Sequence, residues 1–205
     1  LMNRFSPAND PVLKQNYDRK TIKNKTENKI ALQKELELQI NQEIMMIALI
    51  GELSDQNDGE MILESLPALI ELGFQIVIRG RGSKKYQTRI ESLLNMHPLQ
   101  IAVVNDDSAS LRKLYAAADV GIITYYDKEM EETLAQILSY GLVPISTNHP
   151  DLANFDPINE KGNAFIIKRN NTWQLIASIV RANENYKFSY DWKNLQKSVM
   201  KTKLS

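Results

Sequence analysis

From Ile44 onward the chain predicts an α/β protein, a doubly wound and mostly parallel Rossmann-like sheet with helices on both faces. Three observations carry this expectation. Short runs rich in Ile, Val, Leu and Met alternate with longer stretches whose apolar residues recur at helical spacing. The short runs are apolar throughout rather than alternating, as strands covered on both faces are. Gly73 and Gly141 fall where two helical stretches stop, the place for a left-handed residue after a helix.

The elements follow in order. Residues 1–43 are polar, rich in Asn, Lys and Gln, with Pro7 and Pro11 favouring an extended start and a short helix over Thr26–Leu38. IMMIALIG (44–51) reads as the first strand and EMILESLPALIEL (60–72) as the helix after it. FQIVIRG (74–80), LQIAVV (99–104), DVGIITY (119–125) and LVPIST (142–147) read as further strands, and NAFIIK (163–168) as a short sixth. Between them KKYQTRIESLLNM (84–96), SASLRKLYAAA (108–118, with Ser108 as candidate N-cap) and EETLAQILSYG (131–141) read as helices. A turn is expected at Lys161-Gly162-Asn163, and two closing helices at 173–186 and 191–203. The division expected is a hinge region over 1–43, a Rossmann-like domain over 44–185, and a closing helix over 186–205.

Composition narrows the classes of function. Twenty-five basic and twenty-five acidic residues cancel, so no surplus of positive charge points to nucleic acid or to an anionic membrane. There is no cysteine, which removes disulfides, thiolate nucleophiles and Cys-ligated metals and fits a reducing, cytoplasmic setting. His97 and His149 are far apart in sequence, so a His-rich zinc site is not expected. No apolar run approaches the ~18 residues that span a bilayer. The opening LMNRFSPANDP lacks the charged start and apolar core of a signal peptide and reads as the interior of a longer chain.

In a sheet of this type ligands sit beyond the carboxyl ends of the strands. The loops there are 51–59, 79–85, 105–108, 124–132 and 147–152. The first, GELSDQNDG, carries Glu52, Asp55 and Asp58 and no Lys or Arg. On residue type alone these acids are turn and capping residues of a solvated loop, with a carboxylate-held cation as the sharper alternative. RGRGSKK offers Gly80, Arg81, Gly82 and Ser83 as an anion loop at the start of a helix, against the plainer reading of exposed basic residues in a first turn. Glu131 and Glu132 suit a helix N-terminus without any catalytic role. Tyr125 and Tyr126 could form a platform for a sugar ring or simply pack. Trp173 and Trp192 are expected to be packing residues, and His149 an isolated loop histidine.

The first part of the chain, RFSPANDPVLKQNYDRKTIKNKTENKIALQKELEL, resembles the hinge of bacterial glycogen and starch synthases. Those run W-x-P-x-x-D-P, then Y-x-x-x-x-(L/I)-x-x-K-x-x-N-K-x-x-L-Q-x-E-L-G-L. LESLPALIELGFQIVIRGRG, LRKLYAAADVGI and TLAQILSYGLVPI are similar to their later units, so the likeness covers nearly the whole chain. The resemblance implies the nucleotide-sugar-side, C-terminal half of a GT-B glycosyltransferase that transfers glucose with retention to an α-glucan end. It also implies an N-terminal GT-B domain as partner, and ADP-glucose or UDP-glucose and α-glucan as candidate ligands. No separate cofactor, metal site or catalytic residue is assigned within this half.

The pocket positions depart from the family. Where its first loop reads R-L-x-x-Q-K-G, with Arg and Lys on the diphosphate, this chain has Glu52 and Asn57; Gln56 matches, and Asp58 stands at the Gly. Where E-P-C-G-L-T-Q places a Glu toward the sugar, the chain has Lys128, and only Thr133 is kept. T-G-G-L has become His149, Pro150, Asp151 and Leu152, and an aromatic that packs on the base has become Asp106. A diphosphate carries about two to three negative charges that need cations or N–H donors. At an effective dielectric near 20, a charge pair about 4 Å apart is worth roughly 4 kcal/mol, against about 8 kcal/mol for a whole micromolar interaction. The expectation is a family member with a degenerate donor site. The alternatives are an active glucosyltransferase with altered donor contacts, and a regulatory or oligomerisation subunit of an active synthase.

Overall fold

The computed structural model of the chain describes residues 6–80 and 82–205. Its sheet has the order β3-β2-β1-β4-β5-β6, with β1 at Met46–Leu49, β2 at Gln75–Arg79, β3 at Ile101–Val104, β4 at Val120–Ile123, β5 at Val143–Ser146 and β6 at Phe165–Ile166. Every neighbouring pair is parallel. The strands are shorter than the apolar runs that predict them, because the run ends leave the ladder to enter loops. Helices α2 (Gly59–Glu71), α3 (Lys84–Met96), α4 (Ser108–Ala117) and α5 (Lys128–Ser139) make the crossovers. Helix α1 (Lys25–Glu35) precedes the sheet, and α6 (Thr172–Tyr186) and α7 (Ser189–Val199) close the chain. β1, β2, β4 and β5 are buried at every position, which is why their sequences show no alternation.

The glycines expected to end helices do so: Gly73 and Gly141 have φ of +86° and +67°. Gly162, in the expected turn, has φ +96°. Two expectations need correction. The N-cap of α4 is Asp107, not Ser108, and its carboxylate accepts from the Ala109 and Ser110 N–H groups. Trp173 is not a packing residue: it is 77% exposed, whereas Trp192 is buried against Phe165 and Tyr186.

Residues 6–43 fold against the sheet domain. α1 is weakly amphipathic, yet Lys25, Asn28, Lys29 and Gln33 are buried. Each makes hydrogen bonds that repay its desolvation. Lys25 Nζ donates to the Tyr115 and Ala116 carbonyls at 2.7 and 2.9 Å, closing the end of α4, where a cation also suits the helix dipole. Lys29 Nζ meets Asp119 at 2.6 Å and the Gln42 carbonyl at 2.9 Å. Asp119 in turn accepts from the Met46 N–H at 2.7 Å, so one ion pair joins α1 to the amino ends of β1 and β4. Gln33 bonds Gln75 at the start of β2. The lysines and amides that mark the hinge resemblance are therefore a polar staple between α1 and the sheet.

Candidate functional site

The sheet order reverses between β1 and β4, which puts the expected crevice between the loops that leave them. The β1 loop forms a short 3-10 turn at Asp55–Asn57 and then enters α2 through Asp58, whose φ of +56° is left-handed. The family pattern has glycine at this place, and the backbone has kept the glycine conformation. The β4 loop carries Thr124 and Tyr125 up to meet it. The Thr124 hydroxyl donates to the Asn57 carbonyl at 3.3 Å. The Glu52 N–H donates to the Tyr125 hydroxyl at 3.2 Å. Tyr125 also lies so close to Gly51 that a Cβ there would come within 2.8 Å of its ring. What remains between Gly51, Asn57 and Tyr125 is a cavity of about 10 Å³, no more than one water.

The neighbouring loops are joined by charge. Arg79, the last residue of β2, has a side chain only 8% exposed and lies 2.6 Å from Asp106 and 3.0 Å from Glu129. Burial alone would make the guanidinium easier to deprotonate, but the hydrogen bonds to Asp106 and Glu129 outweigh it and raise its pKa. On the opposite side His149 lies 3.1 Å from Glu131 and its ring sits 4.6 Å from that of Tyr126. The Asp151 N–H donates to His149 Nδ1, so Nδ1 is the acceptor and Nε2 faces the Glu131 carboxylate. Tyr126 shares a hydrogen bond with Ser146, and its burial pushes the phenol up to about 12.

The expected site residues thus have mixed fates. Glu52, Asn57, Thr133, His149 and Asp151 gather at the carboxyl edge of the sheet, where Gln56, Lys128 and Pro150 are exposed. Thr133 is buried inside α5. Of the expected anion loop, the Gly80 N–H continues the ladder to the Val104 carbonyl and the Ser83 N–H donates to the Leu53 carbonyl, so both donors are used within the protein. Arg81 lies outside the described residues. The acids at this edge are not bare: Asp55 meets Lys85 at 2.9 Å, Asp106 and Glu129 meet Arg79, and Glu131 faces His149. The charges of Asp55, Asp106 and Glu129 are thus met by cations of the protein, and Arg79 is held by its two carboxylates. Arg79 opens RGRGSKK but was assigned no role of its own there; an arginine directly ending the apolar run FQIVI was its signal. Among the described residues no group of three or more His, Cys, Asp or Glu is placed to hold a metal ion, and no helix is long and apolar enough to cross a membrane.

Residues 45–185 match the family described as Glycosyl transferases group 1. The chain belongs to this family. Within it, the chain is 27% identical to the glycogen synthase of Trichodesmium erythraeum over 100% of its own length and 46% of that protein. It is 30% identical to the glycogen synthase of Pseudothermotoga lettingae, covering 99% of this chain and 43% of that one. It therefore spans less than half the length of these curated relatives. A glycogen- or starch-synthase-like glycosyltransferase domain is the narrower placement these matches support. The fold is shared with the catalytic domain of starch synthase IV from Arabidopsis thaliana, determined bound to ADP and acarbose, at a TM-score of 0.79 and 24% identity over 98% of this chain and 43% of that one. A C-terminal domain of a group 1 glycosyl transferase from Francisella tularensis superposes at 0.64 with 13% identity over 89% of this chain and 95% of that one.

Proposed function

We propose that the chain is the nucleotide-sugar-side half of a glycogen- or starch-synthase-like protein, and that its donor crevice does not take ADP-glucose as its relatives' crevices do. The observation that carries this reading is Tyr125 seated on Gly51 with its hydroxyl on the Glu52 N–H. A diphosphate there would need that N–H and the space the ring fills. The second loop supports the same reading: Pro150 has no N–H, and the Asp151 N–H is held by His149. The exchanges at Glu52, Asn57 and Lys128 remove the charges and the sugar-facing carboxylate that the resemblance implies. A partner N-terminal domain, an α-glucan and a cytoplasmic setting go with this placement.

Calorimetry on the chain with ADP-glucose and with UDP-glucose at millimolar concentration is expected to show no saturable heat. A clear isotherm with the unaltered chain would overturn the reading. The triple change Tyr125→Ala, Glu52→Arg and Asn57→Lys should restore measurable nucleotide-sugar binding by opening the crevice and returning two cations to it.

A further inference from the structure

At the opposite end of the sheet from the crevice, α1, α6 and α7 enclose a cavity of about 190 Å³. A single water needs only about 10–15 Å³, so there is room here for a polyatomic ion. We infer that this cavity binds a tetrahedral oxyanion of the phosphate or sulfate class. The site is separate from the donor crevice and does not depend on how that crevice is read. Three features of the cavity carry it.

The first is an orphaned donor. Trp192 lines the cavity and is only 4% exposed. Its ring packs against Phe165 and Tyr186, but its indole Nε1–H is buried with no hydrogen-bond partner among the described residues. A buried donor left without an acceptor is costly, and native folds keep few of them. The second is charge. Lys25, Lys29, Lys187 and Lys193 line the cavity against Glu43 and Asp119. Lys29 is paired with Asp119, and Lys187 with Glu184. Lys25 Nζ donates to the neutral carbonyls of Tyr115 and Ala116, which leaves its charge uncancelled and one of its three N–H groups for a ligand. Two cations, Lys25 and Lys193, therefore remain against the exposed carboxylate of Glu43. The third is a helix end. Ser189 begins α7 and lines the cavity, and no side chain caps that helix. Its first backbone N–H groups have no intrahelical acceptor and form the positive end of the dipole. A water could meet the indole N–H but would leave the surplus positive charge in place, whereas an oxyanion answers both.

The site is tested on the full chain. Trp173→Phe removes an exposed tryptophan and leaves Trp192 as the only one, so emission reads this cavity. At about pH 6.5, below the value of about 7 to which burial lowers Lys25, sulfate and inorganic phosphate should each shift that emission saturably, and chloride at matched ionic strength should not. In the same background Lys193→Gln should weaken the apparent affinity about tenfold, the worth of one charge-assisted contact. Lys193 is half-buried, so the variant should stay folded, which circular dichroism checks. Lys85→Gln removes a cation beside the donor crevice and should leave the shift unchanged. Trp192→Phe keeps a ring and drops the N–H, and the calorimetric affinity for sulfate should fall with it. Methyl phosphate beside inorganic phosphate separates the sources: binding of either supports the site, and the tighter one tells a free ion from the head of a phosphorylated molecule. No shift with either oxyanion, an equal shift with chloride, an affinity unmoved by Lys193→Gln and by Trp192→Phe, or one lost in Lys85→Gln would each overturn the site.

Discussion

Glu37 and Asp58 have φ of +57° and +56°. Both stand where the glycogen synthase pattern has glycine, so the backbone has retained a shape that the side chain opposes. A side chain in the left-handed region costs roughly 1–2 kcal/mol, less for Asp, and glycine returns part of this through its greater freedom when unfolded. Glu37→Gly and Asp58→Gly are each expected to stabilise the chain by about 0.5 kcal/mol, and the double change by the sum, because the sites share no partner. Asp58→Val should destabilise by about 1–2 kcal/mol. Urea midpoints at constant slope check all four. The exchanges themselves were legible in the sequence as missing glycines and reversed charges. Their compensation was not, because Arg79 finds Asp106 and Glu129 across gaps of 27 and 50 residues that no local spacing records.

Among the elements, α1 is the one whose residue types oppose the usual rule, since lysine is rarely buried unpaired. Two nearly buried cations, Lys29 and Arg79, predict different outcomes. Lys29→Met would leave Asp119, with a side chain 8% exposed, without its cation, and should destabilise by about 3–5 kcal/mol. Arg79→Met leaves Asp106 and Glu129 at 31% and 52% exposure, where water can replace the guanidinium, and should cost only about 1 kcal/mol. Thermal melts of the two variants compare them directly. Lys25 adds a pH dependence. Burial pushes its ammonium down to about 7, with Asp119 pulling it back up and Lys29 adding to the fall. Between pH 7 and 10.5 the unfolded chain therefore binds more protons than the folded one, and stability should rise with pH across that window. Lys25→Met should flatten the rise. The helix itself was legible from the hinge resemblance, but its buried lysines were not, because hydrophobic periodicity scores only apolar positions.

At the scale of the whole molecule the sheet was the most legible part. Fully buried strands and helical crossovers leave few ways to connect the elements, and the right-handed rule selects among them. The mouth of the crevice was less legible, since closure by Tyr125 depends on two loops 70 or so residues apart meeting at the switch point. The buried tyrosines set the alkaline limit of the fold. Burial raises the Tyr17 phenol, with Tyr140 and Asp10 adding to it, and burial likewise raises Tyr140 and Tyr186. Above a pH of about 10 these phenols ionise in the unfolded chain and not in the folded one, so stability is present below that pH and lost above it. At 295 nm the last part of the ionisation of the eight tyrosines should coincide with the loss of helix; a chain that kept its helix after all eight had ionised would contradict it. The staple beneath the sheet has one more consequence. Lys25 and Lys29 are 4% and 2% exposed, so an amine-selective acetylating reagent should leave both unmodified on the intact protein while surface lysines react. Mass spectrometry of those two side chains would then report, residue by residue, the moment at which the hinge helix lifts away.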